Sequence, residues 1–225
     1  NWEVLEKTLK RCGYQVAALI AEPCLGNCAA VLPKPGFLEF IQKKCAEYGI
    51  VFILDEVKTG FRIANGGAQE FYNIRPDMAT YAKAIGNGYP VAAFGGKKEI
   101  MEIIGNGVAQ GGTYTNNKPG VAAAWATLIE LDSKPILKTI ASRGQRLIDG
   151  LKKIFQDASI PVCFTGYPAM CSFAIGVEEV TGQRDWSESE RDYYLKLVEA
   201  SIDRGVMPDH DAREPWFLCY SHSEK

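Results

Sequence analysis

Histidine is nearly absent from this chain. Only His210 and His222 occur, too few for a histidine-rich metal centre. An excess of one charge is absent too: 25 basic and 27 acidic residues leave a net charge of −2, with no basic stripe or block of like charges. That excludes nucleic acid and anionic membrane surfaces as partners. No apolar run reaches the roughly 18–20 residues that cross a bilayer. The opening Asn1-Trp2-Glu3-Val4-Leu5-Glu6-Lys7 has acids where a signal peptide needs a basic end and an apolar core. The seven cysteines are scattered. Cys24 and Cys28 have no second pair to complete a zinc site, so they read as reduced thiols of a cytoplasmic protein. No glycine-lysine-serine/threonine loop occurs, which argues against a nucleoside triphosphate site.

What is there alternates between helical and strand patterns. Val4, Leu5 and Leu9 mark an opening helix, and Val16 to Ile20 a short strand followed by Glu22-Pro23. Phe37, Leu38, Ile41, Cys45 and Tyr48 repeat at helical spacing until Gly49. Ile50-Val51-Phe52-Ile53-Leu54 is apolar throughout, as in a strand buried on both faces of a parallel sheet. Met78 to Tyr81 and Val91 to Phe94 predict two more strands. Helices are expected over Lys98 to Ile104, Val121 to Leu131 and Ile136 to Phe155. After Ser133-Lys134-Pro135 the pattern changes to strands at Val162 to Phe164 and Cys171 to Ile175, a helix over Ser187 to Arg204, and a strand at Trp216 to Tyr220. The reading is α/β for residues 1–133 and a small α+β domain for 134–225. The chain opens on a helix with no strand before it and stops soon after a strand, so it is expected to be a piece of a longer protein.

Three local features carry chemistry. Asp55 follows the apolar run directly, which sets it at the carboxyl edge of a strand, where open α/β sheets bind ligands. A carboxylate there wants a cation or a protonated ring nitrogen; a helix cap or an ion pair would serve equally. Glu56 reads as an ordinary polar neighbour, and the stiff, branched Val57 suits packing on a flat ring. Lys83 lies between small apolar residues and the turn Gly86-Asn87-Gly88. Most lysines are solvated surface groups, but these flanks suit a desolvated amine, which is a better nucleophile. Gly111-Gly112-Thr113-Tyr114-Thr115-Asn116 offers backbone amides and hydroxyls to an anion, or is simply a loop. Arg62, Arg184 and Arg213 are candidate carboxylate binders.

Taken in order, Ala21-Glu22-Pro23, Ile53-Leu54-Asp55-Glu56-Val57-Lys58-Thr59-Gly60-Phe61-Arg62, Ala82-Lys83-Ala84-Ile85-Gly86-Asn87-Gly88-Tyr89-Pro90, Phe94-Gly95-Gly96 and Gly112-Thr113 resemble the class III pyridoxal-phosphate aminotransferases. The branch that includes glutamate-1-semialdehyde aminomutase is the most similar. The resemblance implies the large domain of the fold type I pyridoxal-phosphate transferases plus a truncated C-terminal domain. It implies pyridoxal 5'-phosphate as cofactor, held by Lys83 as a Schiff base, with Asp55 on the ring nitrogen and Val57 on the ring face. Thr113 would bind the phosphate of the neighbouring subunit's cofactor in a homodimer, with Thr115 as its alternative. Family members carry a long N-terminal portion, with a phosphate loop and a ring-stacking aromatic residue, that this chain does not show.

The implied activity is transfer of an amino group between small molecules, an amino acid or amine as donor and a keto acid or aldehyde as acceptor. Lys83 would act as anchor and general base. The runner-up is an aminomutase that moves the group within one substrate. A third reading is that the 225 residues are inactive by themselves.

Overall fold

A computed structural model describes residues 1–223; Glu224 and Lys225 lie outside the described residues. Two compact units emerge. The first joins Asn1–Pro23 to Pro33–Lys134, and the second joins Cys24–Leu32 to the residues from Pro135 on.

In the first unit, α1 (Trp2–Cys12) starts where Asn1 accepts the Val4 N–H at 3.2 Å, satisfying one of the unpaired donors of a helix start. β1 (Ala18–Ala21) leads into α2 (Phe37–Tyr48), which Gly49 ends in the left-handed conformation that glycine adopts freely. Then come β2 (Val51–Asp55), α3 (Gly67–Tyr72), β3 (Met78–Tyr81), β4 (Ala93–Gly96), α4 (Lys98–Met101) and α5 (Lys118–Ser133). The sheet order is β1-β2-β3-β4. The first three strands are parallel, and β4 runs antiparallel to β3. Parallel neighbours need crossover connections, and α2 and α3 lie in them.

One sheet face is the core: Phe52, Leu54 and Ala79 pack with Leu9, Leu38, Ile41 and Cys45. The other is more open. β2 alternates between half-buried and buried instead of being buried on both faces, and Ile20, in register with Ile53, is 60% exposed. An all-apolar run therefore overstated the burial of this strand: within this unit the α1–α2 layer covers the Phe52–Leu54 face. α4 stops at Met101, short of Ile104, because Gly105 turns at φ +82° and Ile104 bridges to Val108.

The second unit holds α6 (Ile136–Asp157), β5 (Val162–Tyr167), β6 (Met170–Ile175), α7 (Gln183–Ser187), α8 (Arg191–Ile202) and β7 (Trp216–Phe217). Its strands are antiparallel in the order β5-β6-β7. Phe155, Phe173, Ile175, Tyr194 and Val198 form one core cluster. Cys28, Ala29 and Val31 join a second with Ala174, Val180 and Trp186. The Ala29 N–H donates to the Arg213 carbonyl at 2.8 Å, and the Thr165 hydroxyl donates to the Ala29 carbonyl. The helix expected over 187–204 starts later, at Arg191, because the Glu190 N–H donates to the Ile175 carbonyl at 2.8 Å and ties the chain to the end of β6; α7 is a separate helix before it.

Candidate active site

The carboxyl edge of the first unit's sheet gathers the strand ends. β2 and β3 pair in parallel with Asp55 beside Thr80, so Asp55 and Lys83 emerge from neighbouring strands at the same edge. Asp55 is half-buried. Its Oδ1 accepts the Val57 N–H at 3.0 Å and the Thr80 hydroxyl at 3.2 Å. Both hydrogen bonds end on one oxygen, and among the described residues Oδ2 accepts none. Such a carboxylate is oriented yet keeps one oxygen open for a donor.

Lys83 begins a short 3-10 turn, Lys83–Gly86, at φ +52°. A side-chain-bearing residue in the left-handed region carries a cost that surrounding structure must enforce. α5 packs on this turn. The packing is close: a Cβ at Gly120 would come within 2.8 Å of the Pro90 carbonyl, which also accepts from Asn117 Nδ2 at 3.1 Å. Lys83 itself is exposed, and its amine joins no hydrogen bond or ion pair among the described residues. The expectation of a desolvated lysine therefore changes: the flanking small residues shape the turn rather than cover the amine.

Val57, half-buried, follows Asp55 at the same edge, and Glu22 follows β1 there, exposed. Thr113 stands apart, exposed in a turn where the Thr115 N–H donates to the Gly112 carbonyl at 3.0 Å. Among the described residues no hydrogen bond links it to the other three. Arg213, in the second unit, already grips Asp211: Nη2 lies 2.6 Å from Oδ2. That hydrogen bonding by Arg213 holds the Asp211 carboxyl down at about 2.

The sequence reading missed Glu56. It is fully buried. Its Oε2 accepts the Ala68 N–H at 2.5 Å and the Thr59 hydroxyl at 3.1 Å. Oε1 accepts Gln69 Nε2 at 3.0 Å and the Gln69 N–H at 3.3 Å. Gln69 Nε2 also donates to the Tyr81 hydroxyl at 2.7 Å. Burial, then the Glu56 charge, raises the Tyr81 phenol above its ordinary range, so it stays protonated. A buried carboxylate persists only when its acceptors are filled. Gly66-Gly67 just before Ala68 is the one sequence signal of a backbone that must approach closely.

This arrangement presents an unpaired primary amine, able to condense with an aldehyde, at the same sheet edge as a carboxylate with an open acceptor oxygen, able to hold a protonated ring nitrogen. Residues 2–210 match the family model described as Aminotransferase class-III. The glutamate-1-semialdehyde 2,1-aminomutase of Desulfatibacillum aliphaticivorans is 37% identical over all of this chain and 53% of its own length. An omega-transaminase from Sphaerobacter thermophilus superposes with a TM-score of 0.84 at 27% identity, over all of this chain and 52% of that one. A beta-phenylalanine aminotransferase from Variovorax paradoxus shares the fold, with a TM-score of 0.88 at 23% identity over the same shares. The chain thus spans about half the length of the curated relative it matches. Sequence and fold together make it a member of the class-III aminotransferase family.

Proposed function

We propose that the protein is a pyridoxal-phosphate-dependent aminotransferase in which Lys83 holds the cofactor. The observation that carries this is the shared sheet edge: an open Asp55 oxygen and an unpaired Lys83 amine stand at the ends of adjacent parallel strands. When bound, pyridoxal phosphate supplies an aldehyde and a ring that draws electrons from the substrate's amino carbon. Asp55 would keep the ring nitrogen protonated, its carboxylate fixed by Val57 N–H and Thr80. The Val57 side chain would lie on the ring face. The Lys83 amine would hold the aldehyde carbon, with loss of water. Freed by the incoming amino group, that amine would take the proton from the substrate's amino carbon and deliver it to the former aldehyde carbon. Thr113, exposed on its own turn, would serve the phosphate of a second subunit's cofactor. The exposed apolar stripe of α5, with Trp125 at 69% and Val121 at 53%, supports a homodimer. Residues 1–133, apart from the Cys24–Leu32 segment that joins the second unit, would belong to the cofactor-binding large domain and 134–225 to the small domain, and the scattered reduced cysteines suit the cytoplasm.

Lys83→Ala in the full chain should abolish amino transfer between an amine or amino acid and a keto acid or aldehyde. Turnover that survives this change would sink the assignment. The aminomutase reading is kept because of the 37% identical relative. It predicts product from a single amino-bearing substrate with no acceptor added.

A further inference from the structure

Asp55 and Lys83 leave the sheet from different strands, and a tie between the two strand ends lies on the face behind them. The register supplies the tie. Asp55 pairs with Thr80 at the end of the register, so Glu56 and Tyr81, the residues that follow them, take the opposite face. There the Glu56 carboxylate is fully buried, and Gln69 bridges it to the Tyr81 hydroxyl with bonds of 3.0 and 2.7 Å. Glu56 is the residue after Asp55, and Tyr81 lies two before Lys83. The Glu56 N–H also donates to the Thr80 carbonyl at 2.9 Å, and the Gly60 N–H donates to the Glu56 carbonyl at 2.9 Å. Room for this cluster has been made in the backbone. A Cβ at Gly60 would come within 2.8 Å of both the Glu56 carbonyl and the Tyr81 ring, and one at Gly67 within 2.2 Å of Glu56 Oε2.

We infer that Glu56, Gln69 and Tyr81 are positioning residues that fix the turn bearing Lys83 relative to the carboxylate of Asp55. The inference rests on the reading of Lys83 and Asp55 as the cofactor pair. None of the three touches reacting atoms; Gln69 is the strut, with one end on each strand. Two hydrogen-bonded strand ends with a buried, charge-assisted link between them leave the Lys83 turn less freedom than the ladder alone. The left-handed φ of Lys83 shows that this turn does not relax to a common conformation by itself.

The test uses the full chain and pyridoxal phosphate as probe. Lysines that react are trapped with borohydride and counted by mass spectrometry. Lys98, with its side chain 83% exposed, is the internal reference. In the parent protein Lys83 should label faster than Lys98. Tyr81→Phe removes one hydroxyl and keeps the ring that packs on Phe61 at 5.5 Å; it should slow Lys83 relative to Lys98 about tenfold, as loss of fixed geometry at a reacting centre does. Gln69→Ala should do the same. The double variant should be no slower than Gln69→Ala alone, since the two changes cut one link. Amino transfer should lose kcat with KM within about twofold, the split expected when positioning rather than binding is lost. Labelling ratios equal to the parent's, or additive losses in the double variant, overturn the positioning role and leave the cofactor assignment standing. A parent protein whose Lys83 labels no faster than Lys98 overturns both.

Discussion

Consider Gly67→Ala. Gly67 sits at φ +66°, and an added Cβ would lie 2.2 Å from Glu56 Oε2 and 2.7 Å from both its Cδ and Oε1. The left-handed backbone alone costs a non-glycine residue about 1–2 kcal/mol. The clash is the larger part, because the carboxylate has nowhere to go. It is fully buried and filled by Ala68 N–H, Thr59 and Gln69. Moving it by the ångström or so that van der Waals contact demands breaks at least one hydrogen bond to a charged group, worth about 1.5–3 kcal/mol. The expected loss is about 2.5–5 kcal/mol. Gly49→Ala is the control: φ there is +69°, but nothing lies within 4 Å of the added atom, so only the backbone cost of about 1–2 kcal/mol applies. Urea unfolding followed by far-ultraviolet circular dichroism reads both. At about 2 kcal/mol per molar urea, Gly67→Ala should unfold about 0.8–1.5 M earlier than Gly49→Ala. Equal midpoints would mean that the Glu56 carboxylate moves freely, and the account of a rigid buried hub would be wrong.

Other outcomes follow from the same reasoning. Lys83→Gly and Lys83→Ala should both lack amino transfer, but Lys83→Gly should be more stable by about 1 kcal/mol, since only glycine adopts φ +52° without strain; thermal melts check this. Burial tends to raise the Asp77 carboxyl, but the hydrogen bonds it accepts from the Lys97 amine and the Phe52 N–H outweigh burial and lower it. Its folded value therefore lies below its unfolded one of about 3.9, so its stabilisation is complete above about pH 4–5 and fades as pH falls through the lowered folded value. Asp77→Ala should remove that part of the acid dependence. It should also alter the alkaline end, because the hydrogen bond and charge of Asp77 raise the Lys97 amine, a stabilisation lost as pH rises through the raised folded value; urea midpoints across pH will report both. In the second unit, a Cβ at Gly144 would sit 1.8 Å from the Pro168 carbonyl oxygen, a backbone atom. Gly144→Ala should thus cost about 3 kcal/mol or more and separate α6 from the β5–β6 turn, visible as lost amide-exchange protection in α6.

How much of this was legible beforehand differs from residue to residue. α2 was readable because its apolar positions repeat at helical spacing and Gly49 ends it. Asp55 was readable because five apolar residues run straight into it, and the Lys83 turn because Gly86-Asn87-Gly88 follows. Those signals are local. Glu56 carries no local signal: its burial depends on Gly67, Ala68 and Gln69 folding back onto it across the loop after β2. The openness of one sheet face was hidden for a similar reason, since apolar residues record what a strand tolerates and not which layers reach it. The break between α7 and α8 was invisible because the bond that causes it comes from the end of β6. At Ala29 and Ala30, φ values of +49° and +48° are forced on two fully buried alanines that would ordinarily favour a helix.

That same Cys24–Leu32 segment has a bearing on synthesis. It leaves the ribosome before the residues it belongs with, which begin at Pro135, about a hundred positions later. At roughly 5–20 residues per second its partners arrive about 5–20 seconds after it does. During that interval the apolar side of Cys28, Ala29 and Val31 has no cluster to enter, while the strands on either side of the segment can already pair. The second unit is thus completed only when the later residues reach a piece made well before them.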